Sequence, residues 1–157
     1  MSDDELRRTN MAIVQEYLDA INVWDFDKKR ELLAEDAVFE MPFTAPGFDT
    51  RLEGRDNILE FVRTVPSIID AENLHDFELD TLHSDPGEVV ATYKSDMVIK
   101  PTNLPYKNRY ITRWTVRDGM IKYFAEYYDP IPLVVALGGN VQPAPIESAA
   151  RPAEVES

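Results

Sequence analysis

The hydrophobic pattern changes period along the chain, and the change marks out the elements. Val14, Tyr17, Leu18 and Ile21 recur at i, i+3, i+4 and i+7, which predicts a helix over 3–22 with that face buried. Ser2 and Glu5 form an S-x-x-E capping box at its start. A second helix is predicted over 26–34, capped by Asp25, with Phe26, Leu32 and Leu33 inward. Residues 37–43 (AVFEMPF) read as a short strand, and 45–54 as a loop carrying Arg51. Asp56 is placed as the cap of a third helix with Ile58, Phe61, Val62 and Val65 inward, ended at Pro66.

From residue 74 the period falls to two. Strands are predicted over 74–83 and 88–100, joined by a turn at Asp85-Pro86-Gly87. A hairpin follows over 108–128, turning at Arg117-Asp118-Gly119. In its first strand Tyr110, Thr112, Trp114 and Val116 share a face. In its second, Lys122, Phe124, Glu126 and Tyr128 share one face, and Ile121, Tyr123, Ala125 and Tyr127 the other. A strand so apolar on both sides is covered on both, by the chain's own helices and by a partner subunit. Glu126 stands out as a carboxylate among Phe124, Tyr128 and Trp114. A buried carboxylate needs a partner, a raised pKa or a chemical task. Residues 133–137 suggest a last short helix stopped at Gly138-Gly139. Beyond it the Pro-, Ala-, Glu- and Ser-rich stretch 140–157 reads as a disordered tail.

Helices first and antiparallel strands after make an α+β domain over 1–139. It is a curved, mostly antiparallel sheet wrapped around three N-terminal helices, with a central pocket. Composition narrows the partners. A net charge of −13 disfavours nucleic acid and anionic membranes, and no apolar run reaches bilayer length. The acidic start has no signal-peptide pattern and there is no cysteine, which fits a cytoplasmic protein. No H-x-x-x-H, glycine-rich phosphate loop or G-x-S-x-G occurs, so no metal and no cofactor is expected.

Several stretches carry a resemblance: Ile13-Val14-Gln15-Glu16-Tyr17, Leu33 to Pro42 (LAEDAVFEMP), Leu52-Glu53-Gly54-Arg55-Asp56 and Asp118-Gly119-Met120-Ile121. Over about residues 7–139 the chain resembles the nuclear-transport-factor-2-like superfamily, home of ketosteroid isomerases, SnoaL-like polyketide cyclases and phenazine-biosynthesis proteins A and B. The ending Glu126-Tyr127-Tyr128-Asp129-Pro130, with Ala136-Leu137-Gly138, is most similar to the SnoaL and phenazine branches. The resemblance implies a cone-shaped, cystatin-like fold. The oxyanion-binding tyrosine of the isomerases falls on Tyr17, their general base on Met41 and their protonated aspartic acid near Thr112. Methionine cannot take a proton, so that isomerisation is not expected by that route. The acid/base glutamate of the phenazine proteins falls on Glu126, and their histidine near Phe61.

The resulting expectation is a cofactor-independent acid/base enzyme: an isomerase, cyclase, dehydratase or C–C lyase for an apolar, aromatic or polyketide-like small molecule. Glu126 would be the general acid/base and Tyr17 the donor to a substrate oxygen. The same resemblance places Tyr93, Ser95, Met97, Thr112, Trp114, Phe39, Met41, Phe61 and Tyr128 in the substrate-binding wall; Arg51 and Arg55, flanking the entrance to the third helix, are offered to a substrate carboxylate. Structural alternatives exist for each: Glu126 bonded to Tyr17 or Tyr93 or paired with Arg113 or Arg109, aromatic residues that only pack, and Arg51 and Arg55 paired with local acids. The competing reading of the whole is a non-catalytic small-molecule binding or dimerisation module. His75 and His83 read as strand-end surface residues. A homodimer through Ile111, Tyr123, Ala125 and Tyr127 is expected.

Overall fold

The computed structural model describes residues 1–143; the predicted tail lies almost wholly outside the described residues. Helix α1 (Asp3–Asn22) begins at the predicted capping box. Ser2 Oγ accepts from the Glu5 amide at 3.3 Å, and Glu5 accepts from the Ser2 amide at 2.8 Å. Its buried residues include Val14, Tyr17, Leu18 and Ile21. Helix α2 (Phe26–Leu32) is capped by Asp25, but it stops two residues early because Leu33 and Ala34 already belong to strand β1 (Leu33–Glu40). β1 thus starts four residues before the predicted strand. Arg51–Glu53 is not loop but a short strand, β2, that pairs antiparallel with β1. Helix α3 (Arg55–Thr64) is capped at Gly54 without a side-chain bond, so Asp56 lies inside it and is free to pair with Arg30 at 2.9 Å.

Strands β3 (His75–Leu82), β4 (Asp85–Ile99), β5 (Leu104–Arg117) and β6 (Met120–Tyr128) follow, then helix α4 (Pro130–Ala136). The sheet order is β2-β1-β6-β5-β4-β3, antiparallel except where β1 runs parallel to β6. This is the α+β cone expected from the sequence: helices lie against the concave face and the cavity opens between them. Among the described residues no helix is long and apolar enough to cross a membrane.

Two turns differ in kind. At Asp118-Gly119 both residues take positive φ (52° and 75°), the conformation a two-residue I′ hairpin requires. Asp85-Pro86-Gly87, by contrast, is already strand β4, and the chain reverses at His83-Ser84. Gly87 serves close approach instead: a Cβ there would stand 2.7 Å from the Val116 carbonyl oxygen. The hairpin also carries a bulge. Thr115 pairs with Tyr123 and Val116 with Ile121, so Lys122 is the extra residue. The bulge returns Ile121 to the core, fully buried, and sends Lys122 out to Asp36 at 3.3 Å, which reverses the predicted faces of these two. Ala125 is also fully buried within the single chain, so it cannot contribute to an outer contact, whereas Ile111 is 56% exposed.

Candidate active site

The core sheet presents a row of rings toward the helices. Trp114 stacks on Phe124 (4.7 Å between centroids, 5° between planes), and Phe124 on Phe39 (4.3 Å, 12°). Tyr17, from α1, packs its edge against Trp114 at 5.3 Å. Parallel stacks this close are rigid and fix where the neighbouring side chains emerge. Beside them lies a cavity of about 160 Å³. An apolar cavity of that size holds a molecule of about one or two rings.

Of the residues singled out in the sequence, Tyr17, Phe39, Met41, Phe61, Tyr93, Met97, Glu126 and Tyr128 line this cavity. Four do not. Trp114 is 1% exposed behind Phe124. Thr112 is fully buried, donates to the Ala91 carbonyl at 3.1 Å and accepts from Trp114 Nε1 at 2.8 Å. Ser95 supports the wall from one layer back, 2.9 Å from the Tyr110 hydroxyl. Arg51 is on the surface, paired with Glu40 and with Glu53 at 2.8 Å, because β2 lays it across β1. Arg55 reaches the Leu33 carbonyl at 3.4 Å instead of the cavity. His75 and His83 are exposed outside it.

Glu126 points inward, as its strand face predicts. Its Oε2 lies 3.5 Å from the Tyr93 hydroxyl, at the limit of a hydrogen bond. Neither arginine named as a partner reaches it: Arg113 pairs with Glu88 across the outer face at 3.4 Å, and Arg109 is exposed. Burial raises the Glu126 pKa to about 8, the charge of Glu72 adds to the rise, and Tyr93 and Lys29 oppose it. Tyr17 is 2% exposed, and among the described residues its hydroxyl has no hydrogen-bond partner. Burial, then Glu126, then Glu72 push its pKa well up, so it stays a neutral donor. Tyr128 is held by Thr44 at 2.6 Å.

Glu72 and Lys29 are the two charged lining residues that sequence reading missed. Glu72 sits in the segment between α3 and β3. Burial raises its pKa to about 7, and the charge of Lys29 works against that rise. The segment is pinned on both sides. Asn22 donates to the Leu74 carbonyl at 2.9 Å and accepts from its amide at 2.7 Å; Asn73 donates to the Asp96 carbonyl at 2.8 Å; Trp24 Nε1 donates to the Asp70 carbonyl at 3.0 Å. No periodicity marks this stretch. Lys29 was findable, because it lies three residues from both Phe26 and Leu32 on the inward stripe of α2.

Two carboxyl groups whose pKa values burial raises toward neutrality line one largely apolar cavity. Tyr17, a phenol that stays neutral, lines the same cavity. This arrangement can take a proton from one atom of a guest and return it at another.

The cone fold and inward carboxylates define a nuclear-transport-factor-2-like, ketosteroid-isomerase-like domain. The sequence profile of the SnoaL-like domain matches residues 14–124, and the chain belongs to that family. It is 32% identical over 118 residues to the uncharacterised protein YesE of Bacillus subtilis, an alignment covering 74% of this chain and 78% of that one. A Bacillus subtilis crystal structure superposes with a TM-score of 0.79 at 26% identity, covering 89% of this chain and 98% of the other. A phenazine biosynthesis-related protein from Pseudomonas aeruginosa superposes with a TM-score of 0.77 at 21% identity, covering 93% and 96%.

Proposed function

We propose that this SnoaL-like protein is a cofactor-independent enzyme that moves protons on an apolar, aromatic or polyketide-like small molecule. The reaction classes that fit are isomerisation, cyclisation, dehydration and C–C cleavage of the retro-aldol type. The observation that carries the reading is the Glu72–Glu126 pair inside an apolar cavity, with carboxyl pKa values raised to about 7 and about 8. In this scheme Glu126 and Glu72 exchange the proton, and Tyr17 donates to the substrate oxygen as negative charge develops there. Met41 lines the cavity but supplies no base, so the acid/base work falls to the last strand and the α3–β3 segment. A homodimer through the outer sheet face around Ile111 is part of the same proposal.

The test needs no knowledge of the natural substrate. A panel of aryl and cyclic ketones is incubated with the protein in D₂O, and loss of α-protons is followed by NMR. Catalysed exchange is expected, falling about a hundredfold or more in Glu126→Gln. Exchange that Glu126→Gln retains within about threefold, under ~0.7 kcal/mol of barrier, overturns the reading.

A further inference from the structure

Six lysines occur in the chain. Five sit at the surface and each meets a carboxylate: Lys28 with Glu16 and Glu31, Lys94 with Asp76, Lys100 with Asp70, Lys107 with Asp96, and Lys122 with Asp36. Lys29 is the reverse. It is 2% exposed, lines the apolar cavity, and among the described residues has no carboxylate within the 4.0 Å of an ion pair. The lysine that most needs a counter-charge is the one without a direct one. Its near neighbours are rings, Phe26 at 5.2 Å and Tyr17 at 5.9 Å from Nζ.

We propose that Lys29 is a nucleophilic amine that forms a Schiff base with an aldehyde or ketone bound in the cavity. The inference rests on the cavity being the substrate site, and it narrows the substrate to a carbonyl compound.

The neighbourhood favours the free amine. Removing an ammonium from water costs far more than ring faces return. Burial accordingly lowers the Lys29 pKa; Glu72, Glu126 and Asp25 oppose the fall without cancelling it. Each group around Lys29 has its place in that balance. Asp25 is the exposed cap of its own helix, Glu72 comes from the α3–β3 segment, Glu126 from β6, and the neutral Tyr17 from α1. Arg63 of α3 lies over the ring of Phe26, 5.9 Å from its centroid.

The chemistry balances with the groups present. The Nζ lone pair forms the C–N bond while the carbonyl oxygen takes a proton from the protonated carboxyl of the pair. The nitrogen returns a proton to that carboxylate, giving a neutral carbinolamine. The same carboxyl then protonates the hydroxyl, water leaves, and an iminium and a carboxylate remain. That iminium accepts the electron pair when an adjacent C–H or C–C bond breaks, the step that isomerisation and retro-aldol cleavage share.

The experiment is reductive trapping of the intact wild-type protein with sodium cyanoborohydride. One carbonyl probe is cinnamaldehyde, matched to the cavity; the other is formaldehyde, small enough to enter without a shape match. Peptide mapping reads the modified lysine. At pH 7.5 Lys29 is expected to be trapped at least about tenfold faster than any of the five surface lysines, each of which meets a carboxylate. Trapping spread evenly over the surface lysines, or a Lys29 that resists both probes, overturns the inference. The two readings fail separately. A Lys29 that stays unlabelled while α-proton exchange still depends on Glu126 removes the amine alone. A labelled Lys29 with exchange indifferent to Glu126 removes the acid pair and keeps the amine.

Discussion

Replacing Glu126 with glutamine should stabilise the protein, by an amount that grows from about pH 4.5 and is complete just above pH 8. The side chains are nearly isosteric, so packing against Phe124 and Tyr128 changes little. The difference is charge. In the unfolded chain Glu126 ionises near its ordinary 4.5, whereas in the folded protein burial and Glu72 hold the proton to about 8. Between those values the folded state binds more protons than the unfolded one, so stability falls as pH rises, and it is flat above the folded pKa. A gap of about 3.5 pH units, at about 1.4 kcal/mol each, sets a ceiling of about 5 kcal/mol. The residue is partly exposed and solvent screens its charge, so about 2 kcal/mol is the expected loss. Glutamine has no proton to lose. Urea unfolding of both proteins at several pH values from 4 to 9 should give coincident stabilities at the acid end and a gap of about 2 kcal/mol, variant above wild type, near pH 9. The acidic surface weakens both proteins alike as pH rises, so the difference between the curves isolates this one group. Parallel curves over the whole range would show that Glu126 ionises normally, and the acid/base reading would go with it.

The remaining expectations are smaller. Tyr17→Phe should lower ketone exchange about tenfold to a hundredfold with unfolding free energy within about 0.5 kcal/mol of wild type, because the hydroxyl has no protein partner; a stability loss of several kcal/mol would make it structural. Trp114→Ala, which empties the layer behind Phe124, should cost about 3–5 kcal/mol in a urea titration. Ser95→Ala should cost about 1 kcal/mol by unhooking the Tyr110 hydroxyl. Sedimentation at micromolar concentration should show a dimer; an 18.0 kDa monomer alone would refute it.

Strand alternation told which side chains face the helices but not how far the cavity reaches along them. Tyr93 and Met97 line it, while Ser95 between them, Thr112 and Trp114 share the same concave face and lie outside it. Strand β4 is 15 residues long, longer than the hollow it borders. Arg51 was misplaced because its acid, Glu40, lies eleven residues back and meets it only through the β1–β2 pairing, a contact no local pattern contains. Periodicity also failed at Lys122, where one bulged residue shifts the phase of the strand.

Glu72 is the sharper case, because the physics that hides it also suits it to the role proposed for it. A carboxylate on a periodic element can be sorted inward or outward by its neighbours; one in SIIDAENLHD cannot. Its position is set by tertiary hydrogen bonds: Asn22 grips the backbone of Leu74 with both amide atoms, and the Asp96 amide reaches the Glu72 carbonyl at 3.4 Å. The two acids are therefore held by different means, Glu126 by a rigid strand and Glu72 by a pinned segment. Loss of the Asn22 clamp, as in Asn22→Ala, should cost about 2 kcal/mol and let Glu72 move toward water. Once Glu72 is solvated its pKa falls, its charge acts on Glu126 through a higher dielectric, and the two groups stop titrating as a pair. In the proposed mechanism proton transfer depends on that coupling, so Asn22, which does not line the cavity, would control it.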